Sequence, residues 1–158
     1  VIVVAVTSVS MNLGPQVVRP LVNAVSPLSP SPFEQPRVDL PTHRPPVTRE
    51  VIVAAARIAA AERGIEAPAG GVFYSPVFGV YGVGFFAPGN DHGDGGLGNP
   101  WLYFDGRTGQ RLGDTIPGEG SAGDIFMQLQ FPLHSGRIVG VPGRILVLAS
   151  QGCRWPAC

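Results

Sequence analysis

The sequence predicts an α+β fold: one helix packed on a small antiparallel sheet of about four strands. Two patterns carry that expectation. The run from Arg49 to Arg63 is rich in alanine and repeats its apolar residues at helical spacing, with Thr48 before it and Gly64 after it. Beyond Gly64, short runs of aromatic and β-branched residues alternate with glycine, proline and aspartate, which is how strands joined by turns are written. Composition sets the frame for both. The 158 residues include 22 glycines and 17 prolines, while 44% of the chain is hydrophobic, too much for a disordered protein. A loop-rich domain with a real core fits these values.

The first residues, VIVVAVTSV, are apolar and uncharged. Crossing a bilayer takes roughly 20 such residues, so this run is too short to span alone. It also lacks the basic start and small-residue cleavage site of a signal peptide. Two readings stay open for residues 1–13: the last turns of a transmembrane helix cut at its amino end, or a buried strand rich in valine and isoleucine. Residues 14–47 are crowded with proline and read as an extended linker, with a helical turn or two between Gln16 and Ala24.

Residues 48–113 form the predicted α+β domain. Thr48 is the expected N-cap and Gly64 the expected stop, with Val51, Ile52, Ala55, Ile58 and Ala59 on the packing face. Gly71–Ser75 and Phe78–Phe86 read as consecutive strands broken by Pro76. The irregular glycines at 79, 82 and 84 suggest close backbone approach or strong twist. Trp101–Phe104 is a further strand, and the turn sequence Asp105-Gly-Arg-Thr-Gly109 returns the chain into Gln110–Leu112.

Residues 114–144 read as a juxtamembrane amphipathic helix and a re-entry segment. Ser121 and Asp124 have the S-x-x-D spacing of a capping box, in which hydroxyl and carboxylate take up orphan backbone N–H groups. Ile125, Leu129 and Leu133 follow at four-residue spacing with Phe126 alongside, and Pro132 kinks or ends the helix. His134, Arg137 and Arg144 come next among glycines and apolar residues, as suits a chain turning at lipid headgroups. Residues 145–158 begin as a membrane segment, Ile145–Ala149, and then give way to SQGCRWPAC.

Charge excludes one class of partner. Eleven basic residues, all arginine, balance eleven acidic ones, so no nucleic-acid footprint is present. The absence of lysine reads as the codon bias of a GC-rich genome. Hydrolase and phosphate-loop signatures such as G-x-S-x-G and H-E-x-x-H are missing. GVYGVG lies in strand-like sequence and opens no helix, which excludes a dinucleotide fingerprint.

The order of helix, strands, YFDGRTGQRLG hairpin and PGEGSAGDIFMQLQFPLHSGRIVGVPGR resembles the PepSY-associated transmembrane proteins of bacterial inner membranes. SMNLGPQVVRPLVNAVSPLSPSPFEQ resembles the exit of a membrane helix into that family's external loop. The resemblance implies a PepSY-like module on the periplasmic side, held between membrane helices and in contact with lipid. It also implies a link to iron acquisition, with some members reducing ferric siderophores through b-type haem bound between histidines. In that pattern the histidine of L-H-x-G falls on His134, which becomes a cofactor-binding candidate as an axial haem ligand. Both flanking helices read as incomplete here, so the sequence is expected to be a fragment that carries no haem by itself and lacks partner helices. A second reading is a non-catalytic periplasmic module that senses, binds or inhibits a partner.

Other candidates have plainer explanations. His134 near a helix carboxyl end could instead complement the dipole or bond a last carbonyl. The Asn90–Gly98 loop gathers Asp91, His92 and Asp94, but Trp101 stands where a calcium loop beginning at Asn90 needs its bidentate glutamate. It reads as a glycine-rich connection, long and polar enough to touch a ligand. No metal site is expected. His43 is expected to be solvated, and Cys153 and Cys158 match neither a redox nor a zinc spacing.

Overall fold

A computed structural model describes residues 2–34, 44–91, 93 and 96–152. Its elements are helices α1 (Ile2–Asn12), α2 (Arg19–Val25), α3 (Arg49–Glu62), α4 (Ala122–Ser135) and α5 (Val141–Gly152), and strands β1 (Ala69–Ser75), β2 (Val80–Phe85), β3 (Trp101–Asp105) and β4 (Arg111–Thr115). They fall into two compact units, one built on α1, α2, α4 and α5, the other on α3 and the sheet. The α+β class read from the sequence is the class observed.

The sheet is an antiparallel meander in the order β1-β2-β3-β4. Helix α3 covers one face, and Ile52, Ala56, Ala59 and Ala60 pack with Tyr81, Val83, Phe85, Leu102 and Phe104 to form the core. The packing face is therefore rotated from the one expected: Val51 and Ile58 are exposed, while Ala56 and Ala60 are buried. Small side chains on the helix meet large ones on the strands, so facing volumes alternate and the layers interlock.

The ends of α3 follow from local chemistry. Thr48 occupies the N-cap position, although its hydroxyl makes no capping bond to the backbone. At the other end Ile65 N–H donates to the Ala60 carbonyl and Gly64 N–H to that of Ala61, a Schellman closure. Gly64 adopts φ +69°, which glycine takes without penalty.

The other sheet face explains the glycines. Gly82 stands opposite Phe73 across the β1/β2 ladder, and a Cβ there would lie 2.5 Å from the Phe73 Cζ. At Gly84 it would lie 2.8 Å from both Trp101 and Phe86. Aromatic rings thus lie on bare backbone, which keeps all of β2 buried although its side chains alternate between faces. Phe33 adds to this layer, its ring 5.2 Å from that of Tyr103 and 6.2 Å from that of Phe73. In the β3/β4 hairpin the Asp105 carboxylate accepts from the N–H groups of Arg107 and Thr108, and the Asp105 carbonyl accepts from Gly109.

The helical unit begins with α1, so of the two readings of the amino-terminal run the helix is the one observed. The helical turns expected between Gln16 and Ala24 are present, and helix extends over residues 14–25. A π turn spans Gly14–Val18 and leads into α2. Pro15 and Pro20 each stand in a first turn, where a missing N–H costs no helical bond. At α4 the capping box is complete: Ser121 Oγ accepts from Asp124 N–H, and Asp124 Oδ2 accepts from Ser121 N–H. Pro132 lies inside α4 without ending it, and the helix stops at Gly136, φ +70°.

Candidate functional site

Burial in the helical unit runs opposite to that in the sheet unit. On α1, Thr7 and Ser10 are buried at 4% and 9% exposure, whereas Ile2, Val6 and Val9 are exposed at 80%, 58% and 57%. Leu21 and Val25 on α2, Phe126 and Phe131 on α4, and Ile145, Leu146 and Leu148 on α5 are also exposed. Water would penalise such a surface, since each exposed aliphatic side chain forgoes about 1.5–3 kcal/mol of burial. Hydrocarbon does not. Small and polar residues at helix contacts with apolar residues outside is the arrangement helices adopt in lipid.

The contacts bear this out. Gly14, Gly123, Gly136 and Gly143 are all buried. A Cβ on Gly143 would collide with the Gly136 carbonyl, so the end of α4 and the start of α5 touch backbone to backbone. Gly123 is equally constrained, since a Cβ there would lie 2.9 Å from the Ser26 carbonyl oxygen. Its N–H donates to Ser26 Oγ at 3.0 Å, and Asp124 accepts from the N–H and the hydroxyl of Ser29, both at 2.9 Å. These bonds tie the segment after α2 to the first turn of α4.

His134 sits half-buried in the last turn of α4. It does not bond a carbonyl of its own helix. Its Nδ1 lies 3.2 Å from Thr7 Oγ1 and 3.5 Å from Ser8 Oγ, both on α1. Among the described residues the hydrogen bonds of the ring all fall on Nδ1, which leaves Nε2 clear of them. The sequence reading missed Thr7 and Ser8. Their signal was present as the two adjacent hydroxyls in an otherwise aliphatic VVAVTSV.

The donor set fits one axial position of a haem: an imidazole fixed through one nitrogen, with the other open. No group of three or more histidine, cysteine, aspartate or glutamate residues that could hold a metal ion occurs among the described residues. His43, His92, Asp94, Cys153 and Cys158 lie outside those residues. Near Asp91, Asn99 Nδ2 donates to the Asn90 carbonyl at 2.6 Å.

An α+β module carried with helices that bury hydroxyls and expose aliphatic side chains defines a membrane-associated protein with a folded α+β domain. The chain matches the family described as PepSY-associated TM region over residues 1–151, and it belongs to that family. No curated protein matches it. Among the described residues no single helix is long and apolar enough to cross a membrane. In the helical unit α1, the π turn and α2 follow one another from Ile2 to Val25.

Proposed function

We propose that this protein supports iron handling at a bacterial inner membrane, with His134 serving as an axial ligand to a b-type haem and the α+β module lying on the periplasmic side. The observation that carries the haem reading is His134 itself: half-buried, held by α1 through Nδ1, with Nε2 left open. Family membership supports the membrane setting. A b-type haem held there would supply a one-electron iron couple suited to reducing ferric iron carried by a siderophore.

The residues of this chain have separable parts in that reading. His134 would bind through Nε2, with α1 orienting the ring through Nδ1.

The test is a hemin titration of the full chain in detergent micelles, with imidazole added as a surrogate second ligand. The expected result is a saturable Soret band with a low-spin spectrum, lost or shifted in His134→Ala. An unchanged spectrum with full haem content in His134→Ala would remove the ligand assignment.

A further inference from the structure

We infer that Thr7 is a positioning residue that fixes the tautomer of His134, holding the proton on Nδ1 so that Nε2 presents its lone pair. The inference rests on the reading that Nε2 is the ligating nitrogen. The argument is one of counting hydrogens. Thr7 Oγ1 has a single hydrogen, and the best acceptor for it is the Val3 carbonyl one turn back, at 2.8 Å, with the Val4 carbonyl at 3.2 Å. Ser8 Oγ likewise donates to the Val4 carbonyl at 2.7 Å. Such bonding to the preceding turn is the ordinary resting place of a hydroxyl on a helix.

With both hydrogens spent within α1, each hydroxyl oxygen faces His134 with lone pairs only. The ring must then donate, so Nδ1 carries the hydrogen and bonds Thr7 Oγ1 at 3.2 Å. A neutral imidazole protonated on Nδ1 is unprotonated on Nε2, the form that ligates iron. The Ser8 contact, at 3.5 Å, is at the limit of a hydrogen bond and is secondary. Thr7 is also 4% exposed, so an acceptor lost there is not replaced readily by solvent.

Valine keeps the shape of threonine and removes the acceptor, whereas serine keeps the acceptor. The experiment is nitrogen-15 NMR of the histidine-labelled full chain in detergent micelles, at a pH where the imidazole is neutral. The His134 signals are assigned by their loss in His134→Ala. The parent and Thr7→Ser should show the Nδ1–H form, and Thr7→Val should shift the population towards Nε2–H. In a parallel hemin titration Thr7→Val should weaken binding by about tenfold, the low end for loss of an outer-shell partner, and Thr7→Ser should restore it. Helical content by circular dichroism checks that the variants fold.

A parent ring carrying its hydrogen on Nε2, or a Thr7→Val ring unchanged from the parent, overturns the inference. Failure of the haem reading looks different. In that case Thr7→Val moves the tautomer as expected, but His134→Ala binds hemin like the parent.

Discussion

Replacing Ile52 by alanine tests how α3 is set on the sheet, because the apolar stripe of that helix has two candidate faces. Ile52 is 0% exposed and packs among the core strand residues, while Ile58 is 65% exposed. Truncating Ile52 removes three buried carbons, worth about 0.8 kcal/mol each in transfer alone. The cavity adds to that, since neighbouring rings of Phe85 and Phe104 relax only partly, and the expected loss is about 3–4 kcal/mol. At Ile58 little packing is lost, and alanine's higher helix propensity returns a few tenths, for a net change within about 0.5 kcal/mol. The assay is urea unfolding followed by Trp101 fluorescence in a Trp155→Phe background, with thermal melts alongside. A domain of this size moves by about 4 °C or more per kcal/mol, so Ile52→Ala should lower the melting temperature by at least about 12 °C. Ile58→Ala should stay within about 4 °C. Equal losses at the two positions, or a larger loss at Ile58, would refute the packing described for α3.

Two further outcomes concern the opposite face of the sheet. Gly82→Ala should destabilise by about 1–2 kcal/mol because its Cβ meets the Phe73 ring, whereas Gly113→Ala, with open space around it, should be neutral or stabilising. In a Phe73→Ala background the Gly82 effect should fall away or reverse, a coupling read from a double-mutant cycle in urea. Burial raises the pKa of Tyr103 above the ordinary tyrosine value, the Thr115 hydroxyl opposing it in part, and burial likewise raises Tyr74 and Tyr81. Below about pH 10 both folded and unfolded chains keep these phenols protonated. As pH rises above that value the unfolded chain ionises first, so stability is lost progressively until the folded pKa is passed. Unfolding free energies measured from pH 8 to 11.5 should therefore fall above about pH 10, and more shallowly in Tyr103→Phe.

Much of the sheet unit was legible because its signals are local. Strand alternation, the Asp105–Gly109 turn and the Gly64 stop each depend on a few neighbouring residues, and each appears where the residues put it. The packing face of α3 was less legible. Val51 and Ile58 are larger than Ala56 and Ala60, and a count of apolar bulk favours the wrong side of the helix. What decides the face is the size of Phe85, Leu102 and Phe104 across the contact, a property of the sheet that no window on α3 contains. The helical path through Pro15 and Pro20 was legible only as a turn or two between Gln16 and Ala24. Proline excludes helix interiors but suits first turns, and only the placement of the turns tells the two apart.

The candidate site shows the same division between near and far. His134 could be picked out from its own segment and its resemblance to a family motif, but Thr7 lies 127 residues away and carries no motif. Helical periodicity could not have found it, since a hydroxyl in an aliphatic run is commonly absorbed by the carbonyl one turn back. Here that absorption is what gives the site its polarity. Because Thr7 and Ser8 spend their hydrogens on Val3 and Val4, they face α4 as acceptors, and the histidine opposite must supply the hydrogen. The choice of which imidazole nitrogen stays open thus belongs to the backbone of α1 as much as to His134.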